Sequence, residues 1–284
     1  MCRLFGFLGS PASRPEPWLV STNASLLAQA RVTPETAQRD GWGIAWFDEQ
    51  RALHLQKGAG GAFEEAERPR FLEAARNARG PVVLAHLRHA SNPMHLPPER
   101  LIGMENSQPF TDGTRAFIHN GSIHFPRETR ARLGKYETRI RGVNDSEVLF
   151  YLLSRHLDAS GDPAVAYARA REELEQVWRD QGAPASGAYS GLNVIFTRGP
   201  NEIWAFCDWL GDHGGSLCSP DRPYYEMVYV ADARQVLIAS EPLDLARADW
   251  KTLARGHYLH GRASEGLIAL DTEAIPQLQA PPPA

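Results

Sequence analysis

What the 284-residue chain lacks narrows its function before any motif is read. It holds only three cysteines, Cys2, Cys207 and Cys218, an odd count with no CxxC pair, so neither a disulfide framework nor a cysteine-based zinc site is expected. No apolar run approaches the ~18–20 residues that span a bilayer. The opening stretch, MCRLFGFLGSPASRPEP, has too short an apolar segment and too early a proline for a signal peptide. Both absences point to a cytoplasmic protein with no membrane partner. Charge of one sign is missing too. With 30 basic and 34 acidic residues the formal net charge is −4, which gives no electrostatic basis for binding nucleic acid. HExxH is absent, and His86, His89 and His95 follow no ligand spacing, so no metal and no cofactor is expected. Nor does any internal repeat or shift in composition mark a boundary. One domain over residues 2–272 is expected, with 273–284, ending in APPPA, as a disordered tail.

What is present reads as many strands interrupted by helical pairs. CRLFGFLG has the length and apolar content of a buried strand, closed by the turn formers GSPASRPEP. A helix is expected from Pro17 to Ala30, a strand from Gly41 to Phe47, and a hairpin partner in ALHLQKG across DEQR. Glu64 to Arg79 has the pattern of a surface helix, and PVVLAHLRHAS that of a buried strand running into a loop. Asn92 to Asp112 is too irregular for a regular element. RAFIHNGSI reads as a strand ending at Asn120-Gly121. Asp145-Ser146 can cap the helix EVLFYLLSRHL, and a second amphipathic helix covers Pro163 to Asp180. LNVIFTRG, EIWAFCDWL, EMVYVAD, QVLIAS and a last short run near GLIAL complete the strands. The pattern predicts α+β architecture, with sheets packed on each other and helices outside.

Chemistry concentrates at the ends of these elements. Cys2 is the one cysteine placed where a chain terminus can join its chemistry. Removal of Met1 would leave Cys2 with a free α-amine, whose unperturbed pKa near ~7.7–8.0 suits it to accept the thiol proton. Asn120 beside Gly121 offers two donors that can converge on one developing negative charge. Arg88 carries a planar fork suited to a carboxylate, and Asp145 a partner for an ammonium, so together they would recognise an α-amino acid. Each has a plainer use. Asn-Gly is a common tight turn, Arg88 can serve a structural ion pair, and Asp145 can be no more than a helix cap. Composition does not choose between them. The loop LGDHGG likewise reads either as a lid or as a plain turn.

In sequence order, MCRLFGFLG, DGWGIAW, AHLRHAS, FIHNGSI, NDSE, GLNVIFTRG and IASEP resemble the class II glutamine amidotransferases, whose processed N-terminal cysteine is the nucleophile. The likeness runs through nearly the whole chain. It is strongest to the stand-alone branch, which includes γ-glutamyl hydrolases of ergothioneine synthesis and glutathione breakdown. It implies a four-layer αββα N-terminal-nucleophile (Ntn) hydrolase sandwich, two antiparallel sheets flanked by helices. By the same resemblance Cys2 is the nucleophile, Asn120 and Gly121 form the oxyanion hole, and Arg88 with Ser91 holds the substrate α-carboxylate. Asp145 and the Gly121 carbonyl hold the α-ammonium, and Arg3 positions the terminus. Asn92 departs from the pattern, because many synthase-linked relatives place a His there. The expected activity is cofactor-free cleavage of the γ-amide of glutamine, or of a γ-glutamyl amide or peptide, through a thioester on Cys2. The alternatives are a glutaminase subunit feeding ammonia to a separate synthase partner, and a non-catalytic module that binds a glutamyl ligand.

Overall fold

All seven residues of RLFGFLG are buried, because this strand, β1 (Arg3–Gly9), lies inside a sheet covered on both faces. The computed structural model describes residues 2–9 and 14–277. With strands numbered in chain order, the first sheet contains β1, β2 (Trp42–Phe47), β3 (Leu53–Gly58), β4 (Val82–Leu87), β9 (Met227–Ala231), β10 (Gln235–Ala239) and β11 (Lys251–Leu253). Their order is β11-β9-β10-β1-β4-β2-β3. The second sheet contains β5 (Phe110–Thr111), β6 (Ala116–Asn120), β7 (Asn193–Thr197), β8 (Glu202–Cys207), β12 (His257–Ser264) and β13 (Leu267–Ala274). Here the order is β13-β12-β8-β7-β6-β5. Neighbouring strands pair antiparallel in both sheets.

Alternation along the strands builds the layers. Leu4 and Leu8 of β1 point between the sheets and meet Ile118, Ile195 and Ile203, while Phe5 and Phe7 point outward. Gly6 is on the inner face, where a Cβ would come within 2.9 Å of Ile195 and Ile203, so the sheets close tightly only with glycine there. Outside the first sheet lie α1 (Leu26–Gln29) and α2 (Arg68–Asn77), which bury Leu26, Phe71 and Ala74 against Phe5, Phe7 and Trp42. Outside the second lie α4 (Pro126–Ala131), α5 (Asp145–Ser160) and α6 (Pro163–Asp180). Phe150, Leu153 and Tyr167 pack there on Phe117 and Phe206. Each such fully buried side chain contributes about 1.5–3 kcal/mol. The result is the four-layer αββα sandwich of two antiparallel sheets and flanking helices.

Caps fix the helix starts that matter for the site. Asn144 caps α5 by accepting the Ser146 N–H at 2.9 Å, and Gly161 ends the helix in the left-handed region at φ 71°. Asp162 then caps α6, accepting Ala164 N–H at 2.8 Å and Val165 N–H at 3.2 Å.

The sequence reading needs correction in several places. The helix expected over Pro17 to Ala30 is broken into a π-type turn (Pro17–Ser21) and α1, because Ser25 folds back to the Val20 carbonyl at 3.1 Å and caps a new start. The helix expected from Glu64 begins only at Arg68. The irregular stretch after Asn92 contains α3 (Pro98–Leu101), a 3₁₀ turn over Met104–Asn106, and β5. The "short" last strand is eight residues long and is preceded by β11 and β12, which the apolar pattern did not reveal since their alternation is weak. The expected tail starts too early. β13 runs to Ala274 and Ile275 is buried, while 278–284 lie outside the described residues.

Candidate active site

Strand register brings the chemistry to one end of the sandwich. Arg3 pairs with Leu87, and Leu87 with Trp42, so the residues flanking these pairs, Cys2, Arg88 and Gly41, meet at the mouth of the sheet. Cys2 is half-buried. Its Sγ lies 3.4 Å from the His89 carbonyl and 3.5 Å from the His89 N–H. Burial raises the thiol pKa, against the lowering effect of that N–H and of the Arg88 charge. At neutral pH the sulfur therefore keeps its proton until a base removes it. Arg3 faces away from Cys2, as alternation requires. Fully buried, it forms a 3.0 Å ion pair with Glu241, which itself accepts the Cys218 N–H at 3.0 Å. Ser240 and Leu4 exchange hydrogen bonds beside it, so the start of β1 is pinned on both sides.

Arg88 is buried but only half used. Its Nη1 donates to the carbonyls of Asp40 at 3.1 Å and Leu101 at 2.8 Å, and its other guanidinium nitrogens make no hydrogen bond among the described residues. Asp40 closes the same corner, accepting the Ala90 N–H at 2.7 Å. Asp145 opens α5 and is 4% exposed, and its Oδ2 accepts the Ile123 N–H at 2.9 Å. Burial pushes its pKa up to about 6, against the pull of that bond and of Arg88. The Arg88 charge lowers the pKa of the Cys2 thiol and the Asp145 charge raises it. Asn120 ends β6 with no side-chain hydrogen bond among the described residues. Gly121 follows at φ +147°, where a Cβ would stand 1.9 Å from the Gly191 carbonyl, so no other residue fits. Ser91 is exposed on the loop after β4 and makes no side-chain hydrogen bond among the described residues. Asn92, the departure from the family pattern, closes its own loop by two 2.8 Å bonds to the backbone of Leu96.

Sequence reading missed the polar frame behind these residues. His119 Nδ1 meets Ser146 Oγ at 2.9 Å, and its Nε2 meets the Gly191 carbonyl at 3.0 Å. Gln108 pairs with the backbone of His119 in both directions, at 2.6 and 3.1 Å. Asn106 takes the Val143 N–H at 2.7 Å and receives the Asn144 amide on its carbonyl at 2.7 Å. His119, Asn144 and Ser146 stand within the FIHNGSI and NDSE motifs, whereas the only sequence signal for Asn106 and Gln108 was NSQPF, in a stretch too irregular to assign. Burial lowers the pKa of His119 to about 4 and that of His86 to about 3, so both rings are neutral. Among the described residues no group of His, Cys, Asp or Glu is placed to hold a metal ion. Cys207 is buried with its pKa raised, and Cys218 is exposed with its pKa pushed up to about 11 by desolvation. LGDHGG is an irregular loop, with His213 Nε2 2.6 Å from the Leu210 carbonyl and the Tyr224 N–H on the Gly214 carbonyl at 2.9 Å.

Comparison with known proteins bears on the family and the fold. A curated relative, the isomerizing glutamine–fructose-6-phosphate aminotransferase of Sulfurisphaera tokodaii, is 28% identical over 192 residues, which is 67% of this chain. The chain spans only 28% of that relative's length. A glutamine aminotransferase class-II domain protein from Silicibacter pomeroyi superposes with a TM-score of 0.62 at 21% identity, covering 97% of this chain and 100% of that one. The glutamine phosphoribosylpyrophosphate amidotransferase of B. subtilis superposes with a TM-score of 0.63 at 17% identity, covering 98% of this chain and 50% of that one. The sequence model of the class II glutamine amidotransferases matches residues 1–222, well over half of the chain, and with the same fold beneath it the chain belongs to that family.

Proposed function

We propose that the protein is a cysteine amidohydrolase that opens the γ-amide of glutamine, or of a γ-glutamyl amide or peptide, through a thioester on Cys2. The observation that carries this is the half-buried Cys2 thiol, set beside an arginine with donors to spare and a buried carboxylate. The substrate α-carboxylate takes the free side of the Arg88 fork with Ser91 alongside. The α-ammonium sits on Asp145 and the Gly121 carbonyl. Once Met1 is removed, the Cys2 α-amine accepts the thiol proton, and Sγ adds to the γ-carbonyl. Negative charge on the carbonyl oxygen meets the Asn120 amide and the Gly121 N–H. The tetrahedral intermediate collapses as the C–N bond breaks and the amine leaves with the proton the α-amine held. Water then adds to the thioester under the same base, releasing glutamate and restoring the thiol. Arg3, tied to Glu241, holds the terminus in register for both steps.

Turnover of glutamine and a panel of γ-glutamyl amides by protein whose intact mass shows loss of Met1 tests this reading. Hydrolysis with alkylation confined to Cys2 is expected. Processed protein that cleaves none of them would overturn it. A second reading is a glutaminase supplying ammonia to a separate synthase; it draws on the likeness to a glutamine–fructose-6-phosphate aminotransferase. It predicts slow glutamine turnover alone and stimulation by the partner.

A further inference from the structure

The end of β6 is held in place by residues far along the chain. The segment after Gly121 is laced to residues 188–191: Ser190 N–H donates to the Ser122 carbonyl at 3.0 Å, His124 N–H to the Ala188 carbonyl at 3.0 Å, and Ile123 bridges Tyr189. Behind this strap stands Tyr225, 8% exposed. Its ring presses on Gly191, where a Cβ would come within 2.7 Å of it, and Gly191 in turn presses on Gly121. Its hydroxyl is 3.0 Å from Ser190 Oγ, and that same oxygen accepts the Ser122 N–H at 3.1 Å. Asn193 fixes the other side of Tyr225 by donating to its carbonyl at 2.5 Å. Burial raises the phenol pKa, so the hydroxyl is neutral.

We infer that Tyr225, through Ser190 Oγ and Gly191, is a positioning residue that braces the Asn120–Gly121–Ser122 turn. This rests on the reading of Asn120 and Gly121 as oxyanion donors. Such donors stabilise a transition state only when held within a few tenths of an ångström of the oxygen that gains charge. Gly121, at φ +147°, has the wide conformational freedom of glycine, and the brace restricts it from two directions.

Tyr225→Phe and Ser190→Ala, with their double variant, test the brace. Each is expected to lower kcat about ten-fold with KM within about two-fold, as for an interaction made mainly in the transition state. The double variant should lose no more than either single, since one hydrogen-bonded chain is cut. Alkylation of Cys2 by iodoacetamide, which needs no oxyanion hole, should keep its rate, and amide hydrogen exchange over residues 121–123 should quicken. Unchanged kcat, or a fall in kcat shared by iodoacetamide alkylation and melting temperature, would overturn the inference. If the wild type cleaves no γ-glutamyl substrate, the functional reading fails by itself. The exchange experiment still decides the brace, and unchanged protection at 121–123 would remove it.

Discussion

At the scale of single residues, the site works by keeping charges waiting. Burial leaves Cys2 protonated, so the proposed reaction needs a base, and the α-amine freed by loss of Met1 is the group proposed for it. Cys2→Ala is therefore expected to abolish hydrolysis while calorimetry still detects binding of the γ-glutamyl ligand. Retained turnover would show that Cys2 is not the nucleophile. Asp145, its pKa raised to about 6 by burial, is mostly ionised at neutral pH and regains its proton only on mild acidification, which would weaken its hold on an ammonium. Asp145→Asn keeps an oxygen for the Ile123 N–H but removes the charge. Its KM should rise about 100-fold, the loss of one charge-assisted bond of ~2–3 kcal/mol, with no fall in melting temperature.

At the scale of elements, strand ends and helix caps do the placing. Cys2 directly precedes β1, and Arg3, the first residue of β1, is tied to Glu241, so the strand start that leads from the proposed nucleophile is anchored. Glu241→Gln takes the carboxylate from the buried Arg3 and is expected to cost about 3 kcal/mol, read as a drop of roughly 10 °C in melting temperature. A change within 2 °C would show that the pair does not hold the strand. Gly121→Ala adds a Cβ that would lie 1.9 Å from the Gly191 carbonyl at a φ alanine rarely adopts. We expect at least a 100-fold loss of kcat, measured with substrate saturating, because both oxyanion donors move. The sequence showed these elements unevenly. β1, β4 and α5 were plain because their apolar runs or caps are strong. β11 and β12 were hidden, and the break between Ser21 and Leu26 was invisible, since it depends on a side chain folding back to its own backbone.

At the scale of the whole molecule, pH response sums over groups that no local motif connects. His86 and His119 are neutral in the folded state down to about 3 and 4, whereas an unfolded histidine gains its proton near ~6.5. Their depressed pKa values favour folding above that point, and this stability is lost as pH falls. Asp145, raised from 3.8 to about 6, acts in the opposite sense between those values, its contribution lost as pH rises. Around pH 5 these three leave the unfolded chain about one proton ahead, so stability should fall by ~1.4 kcal/mol per pH unit on acidification. Asp145→Asn removes the opposing proton and should steepen its own slope by about the same amount, read from urea midpoints between pH 4.5 and 6. Parallel slopes would mean that Asp145 is not protonated in the fold.

What the sequence by itself determined is the set of reacting groups and the layers they hang on. Residue type fixes chemistry directly: a thiol next to the terminus, an Asn-Gly pair, a guanidinium, a carboxylate. Alternation fixes which strand faces are apolar. Only the tertiary structure decided what those groups meet. The Arg3–Glu241 pair, the frame of Gln108, His119 and Ser146, and the Tyr225–Ser190–Ser122 chain join residues from 11 to 238 positions apart. No period or spacing encodes such contacts, because they arise when two sheets close on each other and the strand ends are brought to one edge. The same closure sets burial, and burial sets the protonation of Cys2, Asp145 and His119.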